Sequence, residues 1–80
     1  MYMTSLNKQY NLVEFDLYVT KNGAKGATYV LELLIDCTID KFEPINEDFI
    51  IKDERDYVFN GFEISEWYEE NGKVRVVYVK

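Results

Sequence analysis

The 80-residue chain has no histidine, one cysteine and one proline. Each scarcity removes a class of protein. Histidine is the one side chain whose unperturbed charge change falls between about pH 5 and 8, and it is the commonest metal ligand. Its absence argues against acid–base catalysis and against most metal sites, so no catalytic, cofactor or metal residue is expected. A single thiol cannot close a disulfide within the chain. Basic residues are also few, with 9 Lys and Arg against 15 Asp and Glu, a net charge of −6. A pI near 4.5 argues against direct nucleic-acid binding, which needs a basic surface. Long apolar runs are missing. The longest, Tyr29 to Ile35, is broken by Glu32 and falls far short of the roughly 20 residues of a membrane-spanning helix. Met1 to Gln9 has no apolar h-region, so neither a signal peptide nor a membrane partner is expected, and the expected location is cytoplasmic.

Apolar side chains are plentiful, at 48%, and aromatics reach 16% with seven tyrosines. Disordered chains lack such residues, and the length fits one domain, residues 1–80. A chain this short buries only about 60–65% of its unfolded surface. Without a disulfide or metal, it must rely on a dense aromatic core or on self-association.

The periodicity is that of strands. In Asn11 to Thr20, Val13, Phe15, Leu17 and Val19 alternate with Glu14, Asp16, Tyr18 and Thr20, the pattern of a half-buried strand. Lys21 to Gly26 then supplies two glycines and an asparagine for a hairpin loop. A second alternating run covers Ala27 to Asp40, although a helix stripe through Leu31, Leu34 and Ile35 is a rival. The strongest local signal is Glu70-Asn71-Gly72-Lys73. Asn-Gly between two β-patterned runs favours a type I′ turn, which would pair Glu70 with Lys73, Tyr68 with Arg75, Glu66 with Val77 and Ile64 with Val79. On the other face Glu69 would meet Val74, Trp67 would meet Val76, and Ser65 would meet Tyr78. Both faces of this hairpin carry apolar residues, as in a curled sheet or at a partner interface.

Residues 41–56 allow two readings. The favoured one is a short helix capped by Asn46, with Ile45 and Phe49 or Ile50 as a hydrophobic staple. The rival is a short strand at Phe49 to Lys52. Asn60-Gly61 suggests a further turn or bulge. The expected fold is therefore mainly β, α+β at most. It is a single compact antiparallel sheet or small barrel of four or five strands with at most one short helix.

The motifs that carry chemistry fail on inspection. Cys37 lies between Ile35 and Ile39 with no base to activate it, and reads as a small buried hydrophobe. Glu32, Asp36 and Asp40 share a polar strand face that solvation explains. Asp56 and Gly61 sit at EF-hand spacing, but Val58 and Trp67 then occupy liganding positions. Gly23-Ala24-Lys25-Gly26 lacks the P-loop spacing. The expected class is a non-enzyme.

Charge layout is the remaining signal. Residues 32–70 hold 13 acidic and 3 basic residues, whereas the last ten hold three basic and no acidic ones. Such a segment either solubilises the chain or offers carboxylates to a basic groove in place of phosphates, whose duplex spacing is one charge per roughly 1.7 Å of axis. Same-face strand residues lie about 6.6–6.8 Å apart, which matches phosphates along one strand to within about a factor of two. The candidate partner-binding residues are Asp53, Glu54, Asp56, Glu63, Glu66, Trp67, Tyr68, Glu69 and Glu70, the aromatics acting as anchors. The partner would be a protein, part of a nucleic-acid-handling complex. No motif ties the chain to a family. In composition alone it resembles small phage-encoded proteins that block host defence, anti-CRISPR proteins among them. The alternative is an assembly module, a homodimer formed through the carboxy-terminal hairpin.

Overall fold

The computed structural model describes residues 1–21 and 26–80, with Ala27 described by its backbone alone. The proposed loop at 21–26 therefore lies mostly outside the described residues, as does the Gly23-Ala24-Lys25-Gly26 motif. The chain forms β1 (Tyr2–Thr4), β2 (Gln9–Lys21), β3 (Ala27–Ile35), a 3-10 turn (Ile39–Lys41), β4 (Phe49–Lys52), β5 (Asp56–Phe59), β6 (Glu63–Glu70) and β7 (Lys73–Val79). All pairings are antiparallel, in one sheet of order β5-β4-β1-β2-β3-β7-β6.

The mainly β antiparallel expectation holds, but with seven strands rather than four or five, and the sheet is not closed. The additional strands are short. Three or four residues carry too few alternations to register as a period. No α-helix occurs among the described residues, and no helix is long and apolar enough to cross a membrane.

The favoured helix after Asn46 is replaced by its rival, and the reason lies in three side chains. Phe49 and Ile51 are buried while Ile50 and Lys52 are half-buried, so this run follows a two-residue period. Ile45 enters the core instead of forming a staple. Asp48 Oδ1 accepts the Gly61 N–H at 3.0 Å, which ties the approach to β4 to the β5–β6 connection.

β2 bends at Val13. Leu12 pairs with Ile35 and Glu14 with Leu34, leaving Val13 as the extra residue of a β-bulge. A bulge shifts the alternation by one residue and sharpens local twist. Leu12 is therefore 7% exposed and Val13 46%, the reverse of the expected order. Beyond the bulge Phe15, Leu17 and Val19 share the inner side of the strand, but only Phe15 is half-buried while Leu17 and Val19 stay exposed, so the expected half-buried strand forms only in part. The bend lets the β1-β4-β5 half fold over the face made by β2, β3 and β7. Met3, Leu31, Leu33, Ile35, Phe49, Ile51, Val74, Val76 and Tyr78 meet between the two halves, none more than 2% exposed. The Phe49 ring contacts Phe59 and Tyr78 at 5.5 and 4.9 Å. Tyr57 meets Phe15 edge-on at 5.3 Å. The Tyr78 hydroxyl donates to the Ile45 carbonyl at 2.9 Å, satisfying the polar end of a buried aromatic.

The carboxy-terminal hairpin has the expected turn. Asn71 and Gly72 have φ of 51° and 78°, both positive as a type I′ turn requires. The register follows expectation from Glu70–Lys73 to Glu66–Val77, then slips at Ser65, so that Ile64 pairs with Tyr78 and Glu63 with Val79. This second bulge keeps Ile64 on the core side. Gly72→Val is expected to cost about 1–2 kcal/mol, because a side chain in the left-handed region clashes with its own backbone. Urea unfolding would show this as a lower midpoint at unchanged slope.

Candidate functional site

The outer face of β2, β3, β7 and β6 is built from the residues that alternate away from the core. The register sets them in rows across the strands. Glu14, Leu34, Arg75 and Tyr68 form one row, Asp16, Glu32, Val77 and Glu66 the next, and Tyr18, Val30, Val79 and Glu63 a third. Adjacent strands lie about 4.7–4.9 Å apart and same-face residues about 6.6–6.8 Å apart along a strand. The result is a lattice of carboxylates over a half-buried aliphatic floor, flanked by two exposed tyrosines, Tyr18 at 38% and Tyr68 at 46%.

The charges on this face divide into paired and unpaired groups. Arg75 Nη2 bridges Glu14 Oε1 at 3.1 Å and Glu70 Oε2 at 2.6 Å. Its hydrogen bond with Glu70 holds that carboxyl below its usual value and raises the guanidinium. Asp16, Glu32, Glu63 and Glu66 have no ion pair among the described residues. Asp16 stands directly opposite Glu32, an arrangement that destabilises a sheet. Desolvation, and then the charge of the Glu32 carboxylate, raise the Tyr18 phenol.

A carboxyl held below its unfolded value contributes stability above that value and loses it as pH falls through the folded value. The stability lent by the Glu70–Arg75 pair is therefore present above about pH 4.3 and lost below it. Arg75→Met is expected to lower the urea midpoint near neutrality, with the gap from the parent narrowing as pH drops from about 5 to about 3. Paired urea titrations across that range check this.

The expected partner-binding residues separate into groups. Glu63, Glu66, Tyr68 and Glu70 lie on the outer face. Trp67 and Glu69 alternate to the inner side, where Trp67 meets Phe42 at 5.9 Å and Glu69 Oε1 accepts the Gly72 N–H at 3.0 Å. Asp53, Glu54 and Asp56 lie at the β4–β5 turn, in the other half of the sheet order, with Asp56 paired to Lys52 at 3.1 Å. One continuous acidic zone is thus not formed.

Glu14, Asp16, Glu32 and Tyr18 join the outer face although none of them was among the expected partner-binding residues. Their alternation marked them as outward, but nothing local showed that β3 and β7 would be neighbours and so bring them beside β6. The basic flanks also fold back on the acidic segment. Lys8 pairs with Glu43, and Lys73 with Asp36 at 3.8 Å. The Glu32, Asp36 and Asp40 row does not form, because β3 ends at Ile35 and Asp40 lies in the 3-10 turn.

Cys37 is half-buried against the core and free, and burial followed by Asp36 and Asp40 pushes its thiol up, away from the nucleophilic thiolate. Among the described residues no group of Asp, Glu or Cys is gathered closely enough to hold a metal ion. A cleft of about 350 Å³ is lined by Thr4, Leu6, Phe49, Val58 and Asp48. Its one carboxylate, Asp48, is engaged by Gly61.

Fold and surface together define a small β-sheet protein with an acidic, tyrosine-flanked outer face. Compared with protein-family models, with curated proteins and with solved structures, the chain matches none.

Proposed function

We propose that the protein is a non-enzymatic inhibitor that lays this outer face on the basic nucleic-acid-binding surface of a partner protein. The observation that carries the reading is the Asp16–Glu32–Glu66 row. It keeps unneutralised carboxylates on an exposed sheet face, two of them directly opposed, at a cost in stability. Tyr18 and Tyr68 flank the row as amphipathic anchors of the kind that dominate interface energetics. Arg75 fixes Glu14 and Glu70 at one border. An anti-defence role of the anti-CRISPR kind, exercised for a phage, is the setting that the composition suggests.

The assembly reading began from a hairpin with two apolar faces. Core packing of Val74, Val76 and Tyr78 accounts for one of them. Val77 and Val79, half-buried on the outer face, are the remaining support for it.

The test uses the chain as bait in lysate of its native host, with and without a competing DNA duplex. The inhibitor reading expects a retained protein that the duplex displaces and that a Glu32→Lys, Glu66→Lys bait fails to retain. Capture indifferent to both the duplex and the reversal would refute it.

A further inference from the structure

Among the described residues β2 has a sheet partner on both sides only at its start. β1 pairs with Gln9, Tyr10 and Asn11, and Leu12 N–H donates to the Met1 carbonyl at 3.0 Å. From Glu14 to Lys21, roughly 27 Å of strand, β3 is the only partner among the described residues. The orientation of the free groups follows from one pair. Tyr29 and Lys80 exchange both main-chain hydrogen bonds, at 3.0 and 2.9 Å. Odd residues of β3 therefore address β7, and even residues address β2. Glu14, Asp16, Tyr18 and Thr20 are accordingly committed to β3. The N–H and C=O groups of Phe15, Leu17, Val19 and Lys21 point to the open edge.

Among the described residues the sheet has three open edges, and they are protected differently. β5 is only four residues long. β6 carries a bulge at Ser65 and glutamates at 63, 66, 69 and 70. Shortness, bulges and charge are the usual defences against edge pairing. The β2 edge has no proline, no bulge beyond Val13, and no charge on its inner side before Lys21. That inner side exposes Leu17 at 47%, Val19 at 50% and the neighbouring Tyr29 at 49%.

We propose that this edge pairs with the same edge of a second copy, forming a two-fold dimer through antiparallel β2 strands. A two-fold axis normal to the sheet keeps the inner faces aligned only if residues of like parity oppose each other. Centring on Tyr18 satisfies this. Leu17 then opposes Val19 of the other copy, Phe15 opposes Lys21, and Asp16 opposes Thr20. The outward N–H and C=O groups of 15, 17, 19 and 21 form hydrogen-bonded pairs, and no like charges face each other. The Leu17, Val19 and Tyr29 patches of the two copies become continuous. A second copy is the occupant because the edge meets itself without like-charge clashes and matches itself in parity and hydrogen-bond phase together. The dimer does not depend on the acidic face.

Sedimentation equilibrium of the full chain tests this. The expected mass rises with concentration from 9.5 kDa toward twice that value. Added salt strengthens association, because two copies of net charge −6 repel. Leu17→Lys, at an exposed position, weakens association by about a hundredfold or more through its unpaired charge at the centre of the contact. Val19→Pro removes an outward N–H that β3 does not use, and abolishes the dimer. Hydrogen exchange supplies a measurement on the unmodified chain. The Leu17 and Val19 amides gain protection with concentration, whereas Tyr18 is protected throughout. A monomer at every accessible concentration, a dimer unaffected by Leu17→Lys, or Leu17 and Val19 amides that stay unprotected in the dimer would each overturn the proposal.

Discussion

Phe49→Ala is expected to remove about 3–5 kcal/mol of folding stability, in a fold whose total is about 5–15 kcal/mol. The size of the effect follows from position. Phe49 is 2% exposed and touches the rings of Phe59 and Tyr78. It sits where the β4–β5 hairpin closes over the inner face, so truncation leaves a cavity between the two halves of the sheet. Urea unfolding should show a lower midpoint at unchanged slope, and the heat-unfolding midpoint should fall by roughly 12–40 °C. Val58→Ala, on the same hairpin but 61% exposed, should stay within about 0.5 kcal/mol of the parent. A loss below about 1 kcal/mol for Phe49→Ala would mean that the hairpin is not docked on the core.

That closure is the part of the fold least visible in the residues. Period and turn chemistry marked β2, the first nine residues of the second run and the β6–β7 hairpin, because each is long enough to repeat its pattern or carries Asn-Gly. Tyr2–Thr4 has one buried residue, Met3, flanked by half-buried ones, and three residues cannot display a period. Phe49-Ile50-Ile51-Lys52 reads more readily as part of a short helix than as a strand. Tertiary contact decides it, since Phe49 and Ile51 must both reach the core. The bulges at Val13 and Ser65 have no proline or glycine to announce them, yet they choose which residues turn toward the core, Leu12 in place of Val13 and the half-buried Ile64 in place of Ser65.

The acidic surface follows the same division. Alternation identified Glu66, Tyr68 and Glu70 as one set, and the hairpin register placed them correctly, whereas Glu63 joins them only through the bulge at Ser65. It could not add Asp16 and Glu32, which sit far away in sequence and arrive only because β7 inserts between β3 and β6. Summing charge along the chain overstated the polarity. Lys8, Lys73 and Arg75, counted as flanks, return to pair with Glu43, Asp36 and Glu70.

Reversing Glu32 and Glu66 to lysine should move stability and partner binding in opposite directions. In the free protein Glu32 opposes Asp16 and Glu66 opposes Val77. Glu32→Lys exchanges a like-charge cross-strand pair for an opposite-charge one, worth about 0.2–1 kcal/mol in favour of folding. Glu66→Lys is nearly neutral for folding, because that side chain is exposed and forms no ion pair among the described residues. At a basic partner surface each reversal removes an attractive contact and adds repulsion, and like-charge juxtaposition at an interface costs several kcal/mol. Together they should weaken binding by about a thousandfold or more, since every 1.4 kcal/mol is about tenfold. Asp53→Lys with Glu54→Lys, at the β4–β5 turn, changes net charge equally and should cost about tenfold or less, through loss of long-range steering. Titrating the captured partner against all three chains at rising salt completes the comparison. Parent binding should weaken with salt as screening removes the attraction, the opposite of the response expected for pairing through β2. Equal losses for the two double reversals would show that bulk charge, not the Asp16–Glu32–Glu66 row, attracts the partner. A Glu32→Lys chain less stable than its parent would show that the opposed carboxylates are not the strained element they are taken to be, and would remove the observation on which the inhibitor reading rests.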